Sequence, residues 1–130
     1  MRQDVLLLMT LPPTPTVVVL VVEDDDLVRL MVVDLLQDEG FAVIDAATAD
    51  AAWAILEARD DIAILFTDIE MPGSMNGLDL ANRVAAHWPQ IRLVITSGRV
   101  RLPSQAVPDQ GTFVPKPYQS RHLLSAFGRA

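Results

Sequence analysis

Cysteine is absent from the 130 residues, which excludes disulfides and thiolate metal sites and fits a reducing, cytoplasmic setting. No apolar run reaches the roughly 18–20 residues that a membrane-spanning helix needs. Bases are scarce, with ten Lys and Arg against 17 Asp and Glu, for a net charge of −7. Phosphate backbones and anionic lipid surfaces are bound by clustered cations, so neither nucleic acid nor a membrane is expected as a direct partner. Internal repeats and low-complexity blocks are missing too. What remains has the length of one domain and is 51% hydrophobic, enough for one sizeable core.

The first nine residues are only faintly like a signal peptide. Asp4 interrupts the charged region, the apolar segment is short, and no small-residue cleavage site follows. Leu11-Pro12-Pro13-Thr14-Pro15 is stiff and strand-breaking, so residues 1–16 read as a tail or linker and 17–130 as the folded domain. Met9 is an alternative start.

Within the domain, apolar runs alternate with helical periodicity. Val17 to Val22 is apolar on both faces, as a central parallel strand is. From Asp25 to Glu39, Leu27, Leu30, Met31 and Leu35, flanked by Val28 and Val32, recur at helical spacing, and Gly40 suits the C-terminus. Val32 and Val33 beside Leu36 exceed one buried stripe. They mark either a wide core stripe or a face for a homodimer or a docking kinase. Further strands are expected at Phe41–Ala46, Ile62–Thr67, Ile91–Thr96 and Gly111–Val114. Helices are expected at Ala49–Arg59, capped by Thr48, at Leu78–Trp88, ended by Pro89, and from about Gln119 to Gly128. Pro103 and Pro108 make the crossover before the fifth strand short, irregular or mobile. The pattern predicts a doubly wound α/β domain with a five-stranded parallel sheet.

Chemistry concentrates where apolar runs stop. The first ends in Glu23-Asp24-Asp25-Asp26 and the third in Asp68. Ligands of open parallel sheets bind at that edge. Asp25 and Asp26 are explained by a helix start, where negative charge suits the dipole. Glu23, Asp24 and Asp68 are not. Carboxylates this close cost about 4 kcal/mol per pair at ~4 Å and an effective dielectric near 20. A hard cation such as Mg²⁺ removes that penalty. Lys116, held between Pro115 and Pro117 after the fifth strand, can place a positive charge on a phosphoryl oxygen. Thr96-Ser97-Gly98 after the fourth strand offers hydroxyl donors and close backbone approach. Together they allow Asp68 to attack a phosphoryl group and form an acyl phosphate, with Mg²⁺ and Lys116 neutralising the charge that builds. His87 and His122 are isolated on helices, and Trp53 and Trp88 are expected at core edges.

With these motifs in this order, the stretch from about Val17 to Arg129 resembles the receiver domain of two-component response regulators. The resemblance implies a flavodoxin-like (βα)5 fold with strand order 2-1-3-4-5. It also implies Asp68 as phosphoacceptor, Glu23 and Asp24 as metal acids, and the backbone carbonyl of Glu70 as a further Mg²⁺ ligand. Thr96 would be the switch hydroxyl, Lys116 the phosphate contact and Phe113 the switch aromatic. Met71-Pro72-Gly73-Ser74-Met75-Asn76-Gly77 is one residue longer than the usual loop, and with the proline-rich crossover it is similar to receivers associated with hybrid histidine kinases. The side chain of Glu70 adds an acid beside the phosphoacceptor, with a direction the sequence does not show.

The expected function is that of a single-domain response regulator, since the chain reaches its last residue just past the final helix. It would take a phosphoryl group from a histidine kinase or phosphotransfer protein and signal to a downstream protein, as a switch rather than a turnover enzyme. Alternatives are a receiver fragment of a hybrid kinase, an aspartate-nucleophile Mg²⁺ phosphatase of the haloacid-dehalogenase type, and an interaction module whose acids only bind metal.

Overall fold

The computed structural model describes residues 16–103 and 106–129. The expected tail, apart from Thr16, lies outside the described residues. In chain order the elements are β1 (Val18–Val22), α1 (Asp26–Asp38), β2 (Ala42–Ala46), α2 (Ala49–Ala58), β3 (Ile62–Asp68), α3 (Gly77–His87) and β4 (Arg92–Ser97). A 3-10 turn (Pro108–Gln110), β5 (Thr112–Pro115) and α4 (Ser120–Ala126) complete them. All strand pairs are parallel, in the order β2-β1-β3-β4-β5, as expected.

Burial on both sides explains why β1 is apolar at every position. Leu20 and Val22 of β1 face one core cluster with Ala52 and Leu56 of α2 and Leu80 and Val84 of α3. Val19 and Val21 face the opposite cluster, with Val32 and Leu36 of α1 and Leu123 of α4. All four β1 residues are completely buried. Each such side chain stabilises the fold by roughly 1.5–3 kcal/mol.

Helix starts follow their expected chemistry. Asp25 accepts a hydrogen bond from the Val28 N–H, and Thr48 accepts one from Ala51, each at 3.0 Å. Gly40 ends the α1 segment at φ 91°, a conformation that favours glycine. Trp53 and Trp88 are half-buried against the α2/α3 cluster, and the exposed His87 packs its ring at 5.2 Å from that of Trp53.

One helix face differs from expectation. Leu27, Leu30 and Met31 are 67%, 59% and 60% exposed, whereas Val32 and Leu36 are buried and Val28, Val33 and Leu35 pack beside them. The surplus apolar surface of α1 is therefore Leu27, Leu30 and Met31, and Val32 and Leu36 belong to the core. The crossover after β4 shows, among the described residues, 3-10 rather than α geometry at its end, in keeping with its prolines.

Strand register sets the site. Val22 pairs with Thr67, Asp68 with Thr96, and Ser97 with Pro115. Glu23, Asp68, Thr96 and Lys116 are thereby brought to one sheet edge, beside the crevice between β1 and β3 where the strand order reverses.

Candidate functional site

The turn after β1 sorts three consecutive acids. Glu23 donates its N–H to Ala46 O at 3.1 Å and is only 2% exposed, while Asp25 is committed to capping α1. Asp24, between them, is exposed at the mouth of the crevice. Asp68 ends β3 and is 4% exposed. Glu23, Asp24 and Asp68 each place a carboxylate oxygen so that all three atoms lie within 4.8 Å of one another. Hard oxygen donors at that spacing fit Mg²⁺, which takes oxygen ligands and keeps some of its waters.

Lys116 closes the pocket. Its Nζ donates to Glu23 Oε1 and to Asp68 Oδ2, both at 2.8 Å. Its own N–H donates to Ser97 O at 2.9 Å, which fixes the base of the side chain against β4. Burial pushes the Glu23 carboxyl up to about 7, helped by the Asp68 charge and opposed by the bond from Lys116. For Lys116 burial works against the charged form, yet its bonds to Asp68 and Glu23 hold it above the usual lysine value. The ammonium thus stands where positive charge is wanted.

Beside this pocket, Thr96 is fully buried and its Oγ1 has no hydrogen-bond partner. Glu70 does turn toward β4. Its carboxylate accepts from Ser97 Oγ at 2.6 and 2.7 Å and from the N–H groups of Gly98 and Arg99 at 3.1 and 3.0 Å. Burial of this carboxyl would raise its pKa, but the bonds from Ser97, Arg99 and Gly98 hold it below the ordinary value. The Glu70 N–H points to Asp68 Oδ1 at 3.3 Å. Phe113 is half-buried against the α2/α3 cluster. His122 is exposed on α4, in a groove with Thr112, Pro115 and Ser125.

Two contributors escape a reading of the sequence alone. Gly77, at the start of α3, donates its N–H to Ile69 O, and a Cβ built there would overlap the carbonyl oxygen of Asp68. The sign available was Asn76-Gly77-Leu78-Asp79, a capping box in which Asn76 and Asp79 exchange hydrogen bonds at 2.8 and 3.2 Å. Arg29 donates to the Glu23 carbonyl, to Asp26 and to Asp45. No local pattern announces it, because Asp45 lies on a different element.

A doubly wound, flavodoxin-like sheet with acids on two strand ends and a lysine beyond a third defines an α/β domain whose crevice sets carboxylates and an ammonium side by side. The sequence profile described as the response regulator receiver domain matches residues 19–127, and the chain belongs to that family. Receiver domains are the phosphoacceptor modules of two-component signalling, act as switches together with histidine kinases and downstream effectors, and bind Mg²⁺ at an acidic pocket.

Among its relatives is the nitrogen assimilation regulatory protein NtrX of Azorhizobium caulinodans, 31% identical over 104 residues, 77% of this chain and 23% of that protein. Another is the DNA-binding transcriptional regulator NtrC of Azospirillum brasilense, 30% identical over 107 residues, 79% of this chain and 22% of the relative. The chain thus spans less than a quarter of either. A CheY-like receiver domain protein from Methanospirillum hungatei superposes with a TM-score of 0.78 at 26% identity, over 88% of this chain and 92% of that one.

Among the described residues no helix is long and apolar enough to cross a membrane.

Proposed function

We propose that Asp68 is the phosphoacceptor of this receiver and that Glu23, Asp24, Asp68 and the backbone carbonyl of Glu70 hold Mg²⁺. An Asp68 carboxylate oxygen attacks the phosphorus of a phosphohistidine on a histidine kinase or phosphotransfer protein. The P–N bond breaks, the imidazole leaves and takes up a proton, and an acyl phosphate forms. When bound, Mg²⁺ supplies charge neutralisation for the transferring group. Lys116 exchanges its carboxylate partner at Asp68 for a phosphoryl oxygen. The unpartnered Thr96 hydroxyl then finds an acceptor on the phosphoryl group, and the space it vacates is open to Phe113. The new charge, roughly −1.5 to −2, drives the rearrangement read by a downstream protein.

The observation that carries this reading is the convergence of one ammonium on two buried carboxylates from separate strand ends, with a third carboxylate beside them. A protein donor must reach Asp68 from the mouth of the crevice. There the exposed Leu27, Leu30 and Met31 of α1 adjoin an apolar groove of about 450 Å³ lined by Val28, Met31, Gly98, Lys116, Pro117 and Tyr118. We place the donor on that surface. The net charge of −7 supports proteins rather than nucleic acid as direct partners, and a cytoplasmic location follows the family's role. The reading applies equally to a stand-alone regulator and to a receiver within a longer kinase, which the genomic reading frame around residues 1–130 distinguishes.

Intact-mass measurement after incubation with acetyl phosphate and Mg²⁺ tests it. One added phosphoryl group, absent in Asp68→Asn and without Mg²⁺, is the expected result. An adduct that survives in Asp68→Asn overturns the assignment, and rapid turnover of phosphate esters returns the phosphatase alternative.

A further inference from the structure

The acid-bearing turn after β1 has no regular hydrogen bonding of its own, yet its acids must converge on one point. Within it Glu23 is held at both of its backbone polar groups. Its N–H is bound by Ala46 O of β2 at 3.1 Å. The Glu23 carbonyl accepts from Arg29 Nη1 at 2.8 Å. The same guanidinium donates from Nε to Asp45 Oδ2 at 2.9 Å and from Nη2 to Asp26 Oδ1 at 2.7 Å. Every nitrogen of the fork is used, and its side chain is only 18% exposed. Asp45 precedes Ala46, so both grips on Glu23 are anchored to the end of β2.

The orientation of the Glu23 carbonyl fixes the plane of the peptide that leads into Asp24. Asp24 itself is exposed, and among the described contacts no hydrogen bond holds its carboxylate. Its aim toward Glu23 and Asp68 therefore depends on the backbone beneath it. We infer that Arg29 is a positioning residue that presets the Glu23–Asp24 peptide, and with it the acid pair, for the cation. The inference rests on the metal reading of the site given above. It assigns Arg29 no contact with the metal or the phosphoryl group.

Charge and geometry make opposite demands on this residue, which gives a clean sign. A guanidinium beside a cation site repels the cation, so if Arg29 acted only through its field, neutralising it would tighten Mg²⁺ binding. If it acts by holding the turn, neutralising it weakens binding. Lysine separates the two cases, because it keeps the charge but is a point donor without a planar fork for three separate acceptors.

The test is calorimetric titration of the whole chain with MgCl₂, checked by Mn²⁺ binding in electron paramagnetic resonance, for the wild type, Arg29→Lys and Arg29→Gln. Unfolding is followed in EDTA in parallel. Loss of an outer-shell partner typically weakens a metal site about 10–100-fold, and a loss of at least tenfold is expected in both variants. Asp45→Asn, which removes the anchor and keeps the arginine, is expected to fall between them and the wild type. Should Arg29→Gln fail to fold, Arg29→Lys and Asp45→Asn decide the matter. Unchanged Mg²⁺ affinity with lowered thermal stability reduces Arg29 to a structural role and overturns the inference. Tighter binding in Arg29→Gln with normal binding in Arg29→Lys overturns it in favour of a field effect. A wild type that takes up no Mg²⁺ instead removes the metal reading itself, and this inference with it.

Discussion

Thr96 carries a hydroxyl that is fully buried and has no partner, which burdens the unmodified protein. An unsatisfied buried polar group costs about 1–3 kcal/mol, whereas an apolar group of the same shape there costs nothing comparable. Thr96→Val is therefore expected to leave the resting protein as stable as the wild type or more so, by up to roughly that amount. The same change should blunt the phosphorylation-dependent shift in amide hydrogen exchange around Phe113. Urea unfolding of both proteins checks the first expectation, and a clear loss of stability refutes it. Glu23 gives the second test at this scale. With its folded-state pKa raised to about 7 from an ordinary value near 4.5, the metal-free fold binds a proton more tightly than the unfolded chain does. Its contribution to stability is fully present below about pH 4.5 and is lost as pH rises through 7. Mg²⁺ requires the ionised carboxylate, so affinity should climb between pH 6 and 8, with proton release on binding. Titration calorimetry in buffers of different ionisation enthalpy measures both, and a flat profile excludes Glu23 as a ligand.

The elements differ in how much of them the sequence discloses. β1 and β3 are legible because a strand buried on both faces is a nearly continuous apolar run, so Glu23 and Asp68 stand out where those runs stop. α1 is less so. Leu27, Leu30 and Met31 satisfy helical spacing as well as Val28, Val32 and Leu36 do, and periodicity cannot choose between two apolar stripes on one helix. Only the packing of α1 against Val19, Val21 and α4 decides it. The direction of Glu70 and the fork of Arg29 were hidden for a related reason, since their partners are contributed by neighbouring elements after folding. The stripe left outside then has a testable use. Leu27→Glu with Met31→Glu touches no core position, so a stability change within about 0.5 kcal/mol is expected. Phosphotransfer from a protein donor should slow at least tenfold while acetyl phosphate still modifies Asp68 normally. Equal slowing with both donors would show that α1 shapes the pocket and does not receive the donor. Gly77→Ala addresses α3, where the added methyl meets the Asp68 carbonyl and either α3 or the end of β3 must move. Both stability and phosphorylation should fall together, and an unperturbed variant contradicts the close approach.

At the level of the whole molecule, Lys116 ties the last strand to the first and the third through Glu23 and Asp68. Truncating it as Lys116→Met leaves two buried carboxylates facing each other with Asp24 nearby. Removing one partner of a fully buried pair costs about 3–5 kcal/mol. A smaller loss is expected here, because the Lys116 side chain is 25% exposed and solvent screens part of the charge. The variant should therefore unfold earlier than the wild type in EDTA at high pH and recover as pH falls and Glu23 takes up a proton, which the loss of the opposing Lys116 bond makes easier. Mg²⁺ should restore more stability to the variant than to the wild type. A ligand at a hundred times its Kd stabilises by about 2.7 kcal/mol, and without the competing ammonium the acid cluster binds the cation more tightly. Phosphorylation, by contrast, should remain slow even at saturating Mg²⁺, since no other cationic side chain reaches Asp68 among the described residues. Thermal unfolding across a Mg²⁺ series, read beside phosphorylation rates, separates these two roles of one lysine. Stability recovered without catalytic recovery supports the division. Recovery of both assigns the charge neutralisation to the metal alone and removes Lys116 from the chemistry.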